Sequence, residues 1–150
     1  MKIENKPLSD FFTFPSIKGI TEHFIITHPG KTPVYGGRIN EWPVGFVADN
    51  LKSVKYFENC LAWNREGSIG YVFYHKHKFT TNDHHRPMIL KNEYNGLLNL
   101  DYARIQIEMT LLSQGFSWGK TASKQKIGDI CIDIPYDKII ISLIFVPKNN

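Results

Sequence analysis

The sequence predicts a single α/β domain of the α+β type: a mixed, mostly antiparallel twisted sheet, short N-terminal helices and one longer helix near residues 99–113. Three observations predict it. Up to about residue 90, short apolar runs alternate with glycine and asparagine turns, which is how short strands of such a sheet read. One later stretch changes to helical spacing. The chain has 150 residues, 13% of them aromatic with ten Phe and seven Tyr, which suits one domain over 1–150 with one sizeable core. No repeat, low-complexity tract or linker divides it.

The elements follow in order. Pro7-Leu8-Ser9-Asp10-Phe11-Phe12 opens on a proline, whose fixed φ and missing N–H suit the first turn of a helix. Thr21 can cap a second short helix through Ile26, and Pro29-Gly30 stops it. Strands are expected at Val34-Tyr35, Val44–Ala48, Cys60–Trp63 and Ile69–Tyr74. Lys76–Lys78 would turn the last of these back into Phe79-Thr80-Thr81, and Met88-Ile89-Leu90 would follow. The clearest helix spans about Asn99 to Ser113. Leu98, Tyr102, Ile105, Met109 and Leu112 recur at spacings of four and three and form one apolar stripe, expected to pack on the core. Asp101, Arg104 and Glu108 pair along its polar side, and Gly115 ends it. A polar loop, Gly119 to Lys126, then leads to strands at Ile130–Pro135 and Ile139–Val146.

Composition narrows the function. The longest apolar stretch, Ile139–Val146, is far too short to cross a bilayer, and the N-terminus lacks the apolar run of a secretory signal. A soluble cytoplasmic protein without a membrane partner is expected. Cys60 and Cys131 have no C-x-x-C spacing and read as two buried reduced thiols rather than a zinc site. Net charge is +4, but its distribution says more. His75–Lys91 holds four Lys/Arg, four His and one acid, and Gly119–Lys126 holds three Lys and no acid. Concentrated basic segments suit a polyanion, because each neutralised phosphate releases bound counterions.

Geometry limits the candidate chemistry. Gly119-Lys120-Thr121 resembles part of a phosphate-binding loop, but Gly115 and Gly119 enclose only three residues and a helix precedes the motif where a strand is required. Asn82-Asp83-His84-His85-Arg86-Pro87 is similar to the acidic-histidine corner of small metal-dependent nucleases, which makes a nuclease using His84/His85 the alternative reading. Residues 88–110 hold no further His to complete it, and His75-x-His77 has nothing to finish a metal shell. No cofactor loop and no activated nucleophile is evident. The chain is therefore expected to be non-catalytic, without metal or cofactor.

The most informative motifs are two glycine-punctuated turns, Thr32-Pro33-Val34-Tyr35-Gly36-Gly37-Arg38 and Trp63-Asn64-Arg65-Glu66-Gly67-Ser68-Ile69-Gly70-Tyr71. Glycine lets the backbone bend tightly and approach another surface, and an arginine held there offers a planar fork to a phosphate or a guanine edge. In order along the chain, these turns resemble the target recognition domain of type I restriction-modification specificity subunits and of related fused restriction-methyltransferase enzymes. Gly30–Gly37 resembles the family's Gly-x-x-Pro-Val-Tyr turn, and Trp63–Gly70 its following Gly-x-x-Gly turn. Phe79–His84 leading into Met88–Leu90 is similar to its next strand pair. The helix from Leu100, the loop to Lys126 and Ile130–Pro135 resemble its closing helix, polar loop and Ile-x-Ile-Pro strand. The resemblance covers about residues 8–135. After Pro135 the sequence departs from the family, which continues into a spacer helix and a second recognition domain.

The resemblance implies a module that reads double-stranded DNA while methyltransferase and restriction subunits do the chemistry, with a second recognition domain or a homodimer completing the site. Base-edge contacts are expected from Arg38, Asn40 and Arg65, with Ser68 and Gln125 behind them. Phosphate contacts are expected from Lys120, Thr121, Ser123, Lys124 and Lys126, then Lys76, His77 and Arg86. Trp42 and Trp118 could wedge against DNA, but core or loop packing is the role expected of both.

Overall fold

The computed structural model describes residues 3–113 and 123–135. Its elements, in order, are β1 (Ile3–Pro7), β2 (Phe12–Thr13), α1 (Glu22–Thr27), β3 (Pro29–Tyr35), β4 (Gly45–Val47), β5 (Cys60–Asn64) and β6 (Val72–His75), then β7 (Thr80–Thr81), β8 (His85–Leu90), α2 (Leu100–Ser113), α3 (Lys124–Gly128) and β9 (Cys131–Pro135). A 3-10 turn at Leu8–Asp10 follows Pro7, and Thr21 caps α1 by accepting a hydrogen bond from the Phe24 N–H at 3.1 Å.

The strands form three sheets. A four-stranded antiparallel sheet runs β2-β8-β5-β6, a three-stranded sheet runs β4-β3-β7, and β1 pairs with β9. All the ladders are antiparallel except β3-β7. β5 lies at the centre, and all five of its residues are buried, as befits a strand covered on both faces. Because side chains alternate along a strand, Leu61 and Trp63 face one way. They join Val72, Met88 and the inner side of α2 in the largest core cluster. Cys60 faces the other way, toward Tyr35 of the three-stranded sheet and Phe79 just before β7. The four-stranded sheet is thus sandwiched between α2 and a second sheet.

Several expectations change. β6 does not fold back onto 79–81: β7 joins β3 in parallel, because its paired edge lies in the other sheet. The stripe on α2 points outward. Tyr102, Ile105, Met109 and Leu112 are exposed, while Leu100, Ala103, Ile107 and Leu111 are buried. Both sets have helical spacing, and the sheet selects the second. Part of the expected polar loop is helical: Ser123 caps α3 by accepting from the Lys126 N–H at 3.3 Å. β1 has no counterpart among the expected strands, and Cys131 is half-buried rather than buried. Burial pushes the Cys60 thiol up to about 12. Trp42 is 70% exposed, against the packing role expected of it. Trp118, Lys120, Thr121, Gly115 and the run 139–146 lie outside the described residues.

Candidate nucleic-acid interface

Three turns meet where β3, β5 and β7 end. Gly36-Gly37 leaves β3, 65–68 leaves β5, and 82–84 joins β7 to β8. They are bound backbone to backbone. The Ser68 N–H donates to the Gly37 carbonyl at 3.0 Å, the Arg65 N–H to the His84 carbonyl at 2.8 Å, and the Asn82 N–H to the Tyr35 carbonyl at 3.0 Å. Glycine is needed at two of these positions. A Cβ on Gly37 would sit 2.4 Å from the Glu66 carbonyl oxygen, and Gly67 has φ +83° with its Cβ position 2.7 Å from the Gly37 oxygen. A methyl group at either would force the turns apart.

A buried polar chain fixes the same turns from beneath. The Asn64 Nδ2 donates to the carbonyls of Arg38 at 2.8 Å and Ser68 at 2.7 Å. Its Oδ1 must therefore accept from His85 Nδ1–H, 2.7 Å away. A neutral imidazole protonated at Nδ1 presents Nε2 as an acceptor, so His75 Nε2–H donates to His85 Nε2 across 3.0 Å. Tyr35 stacks on His75 with ring centroids 3.9 Å apart. Burial, then the neighbouring His77, lowers the His75 pKa to about 3; burial, then His75, holds His85 well below the ordinary range. Both rings are neutral members of the core. Sequence reasoning missed Asn64, although an asparagine closing the apolar run Cys-Leu-Ala-Trp is the signal that marks it.

This network removes His85 from the nuclease-like corner, since it is buried and committed on both nitrogens. His84 is exposed and pairs with Glu66, Nδ1 to Oε2 at 2.9 Å. No group of three or more His, Cys, Asp or Glu able to hold a metal occurs among the described residues.

Around the turns lie the cations. Arg38 and Asn40 are exposed on the loop after β3, where Trp42 and Ile39 also project. The Asn40 Oδ1 accepts from the Trp42 N–H at 3.1 Å. Arg65, Arg86, Ser123 and Lys124 line one cavity of about 200 Å³ with Trp63 and residues 15–17. Strand pairing explains part of this grouping: Arg86 and Trp63 are directly opposite, so they lie on one face. Burial, then the Arg65 charge, lowers the Arg86 pKa, while Asp83 and Glu66 oppose the shift. Gln125 and Lys126 are exposed on α3, and Ser68 is half-buried with its backbone engaged. Lys76 and His77 stand apart from this group. They line a second cavity of about 410 Å³ with Tyr35, Glu41, Asp101 and Arg104, and the Tyr35 hydroxyl is 2.6 Å from His77 Nε2. Glu41 and Asp101 offset the cations there, so the two cavities differ in their attraction for a polyanion.

The chain matches, over residues 2–143, the family model described as the type I restriction modification DNA specificity domain. Among solved structures it is similar to a type I restriction-modification S subunit from M. genitalium, with 15% identity and a TM-score of 0.72, covering 95% of this chain and 37% of that one. It is also similar to the HsdS subunit from Thermoanaerobacter tengcongensis, with 8% identity, a TM-score of 0.68 and coverage of 95% and 35%. A third likeness, 10% identical with a TM-score of 0.64 and coverage of 95% and 37%, is to a structure described for complex assembly and conformational transition of the type I R-M system. No curated protein matches the chain. Identities this low establish a shared fold, and the chain spans little more than a third of each of these structures.

Proposed function

The chain belongs to the family of type I restriction-modification DNA specificity domains, and from that premise we propose that it recognises double-stranded DNA and directs partner methyltransferase and restriction subunits to their site. In this reading it acts in the cytoplasm, forms no covalent intermediate and leaves bond-making and bond-breaking to those partners. A second recognition domain or a second copy supplies the other half of the target.

The observation that carries the reading is the convergence of three locked turns beside a cluster of cations. Base recognition requires donors held rigidly, because a bidentate contact discriminates only if its fork cannot swing to another edge. Arg38 and Asn40, exposed on a turn anchored through Asn64, suit entry into the major groove. The exposed cations of α3, Lys124 and Lys126, with Ser123 beside them, suit backbone contacts that set the register, and Gln125 on the same helix keeps its secondary base-edge assignment. Lys120 and Thr121, between α2 and α3 in the sequence, are assigned to the backbone too. Lys76, His77 and Ser68 are assigned supporting contacts.

Selection of bound duplexes from a random pool tests this reading. The expected result is one enriched sequence, bound with an affinity that falls by roughly 0.9 log unit per tenfold salt for each phosphate contacted. A pool that emerges unenriched, with binding indifferent to salt, overturns it.

A further inference from the structure

The cavity holding Arg65, Arg86 and Lys124 has an electrostatic imbalance. Its lining contains three cations and no carboxylate. Glu66 and Asp83, which partner the two arginines, lie outside the lining. Arg65 Nη2 reaches Glu66 Oε1 at 3.0 Å, and Arg86 Nη2 lies 3.6 Å from Asp83 Oδ1. Arg86 is further fixed by donating from Nη1 to the Ile17 carbonyl at 2.8 Å. Lys124 Nζ donates to Ser16 Oγ at 2.7 Å.

One donor in this arrangement is unused. Arg65 Nε is buried and has no hydrogen-bond partner among the described residues. A buried N–H on a charged group without an acceptor is costly, and the like charge of Arg65 also bears on Arg86. An anion bound in the cavity would offset the like charges of the two guanidiniums, and each planar fork suits phosphate oxygens. A neutral base edge would leave the like charges of Arg65 and Arg86 unopposed.

We propose that this cavity is a phosphate subsite, in which Arg65 and Arg86, with Lys124, grip one phosphodiester of the DNA backbone, so that Arg65 holds the duplex instead of reading a base. The inference rests on the DNA-recognition reading above. The two glycine turns then serve different ends, the first presenting base-reading side chains and the second carrying a backbone clamp.

The test compares the parent chain with Arg65→Gln and Lys124→Gln, using the selected duplex and a scrambled one across a salt series. Lys124 is exposed, so its variant guards against a folding defect at Arg65. Each variant should weaken both duplexes by the same factor and lower the slope of log affinity against log salt by about 1. The ratio between the duplexes should stay that of the parent. A methylphosphonate scan of the selected duplex should find one neutralised phosphate that weakens the parent but adds nothing to Arg65→Gln. Loss confined to one base pair with an unchanged slope would show base reading and overturn the clamp. Variants that bind like the parent would also overturn it while leaving DNA recognition standing. Inorganic phosphate shifting the Arg65 Nε–H resonance, with duplex binding unchanged in the variants, would mark a free-phosphate site and overturn the backbone assignment. A parent chain that binds no duplex would remove both readings together.

Discussion

Asn64 does more for the turns than any side chain that faces solvent. Its amide supports two carbonyls from different turns and accepts the proton that fixes the His85 tautomer. Asn64→Leu keeps the branched shape but removes the partner of the Arg38 and Ser68 carbonyls and of His85 Nδ1. Each abandoned group costs about 1–3 kcal/mol, so urea denaturation should show a loss of about 3 kcal/mol or more. Duplex discrimination should fall with it. The histidines give a second prediction, for pH. Unfolded, both titrate near 6.5; folded, His75 titrates near 3 and His85 well below 6.5. The unfolded chain therefore binds more protons below pH 6.5. Stability should be level above that value and fall as pH drops from 6.5 toward 3, by about 1.4 kcal/mol per pH unit for each histidine. Chemical denaturation at a series of pH values checks this, and a flat profile from 7 to 5 would contradict the buried neutral pair. None of the network was legible in advance. It depends on the register that sets Asn64 opposite His85, and local sequence does not encode which strand lies next to which.

Among the elements, α2 gives the sharpest contrast. Met109 is 65% exposed and Ile107 fully buried. Met109→Lys should change stability by less than about 0.5 kcal/mol, whereas Ile107→Ala should cost about 2–5 kcal/mol; thermal denaturation of the pair measures both. The sequence located this helix well, because a long run of helical spacing is a local signal. It did not identify the buried face, since Leu100-Ala103-Ile107-Leu111 and Tyr102-Ile105-Met109-Leu112 are both good stripes, and only the sheet beneath α2 decides between them. The Thr21 cap, α1 and the cores of β4, β5 and β8 were legible for the same local reason. β1 was not, as Ile3-Glu4-Asn5-Lys6-Pro7 has little strand character and becomes a strand only against β9. β7 was placed correctly in the chain but assigned the wrong neighbour, a non-local choice. At the site, the glycine turns were legible because their backbone demands are local. The meeting of Arg65 and Arg86 with Lys124 was not, since it joins parts of the chain far apart in sequence.

At the scale of the whole molecule, the first and last described strands pair over five residues, from Ile3 opposite Pro135 to Pro7 opposite Cys131. The Leu8 N–H also donates to the Ile130 carbonyl at 2.8 Å. Deleting residues 1–6 should therefore lower the thermal midpoint and strip hydrogen-exchange protection from β9, while β5 and β8, which pair elsewhere, keep theirs. Uniform loss of protection would mean that the molecule opens as one unit. The interlocking of Gly37 with Glu66 and Gly67 has a wider consequence. Neither turn can gain a side chain at these glycines without pushing on its neighbour's main chain. A new target preference in this scaffold would then be acquired by exchanging the whole assembly, both turns with Asn64 and His85, as one cassette, or by altering only the outward-facing side chains it carries.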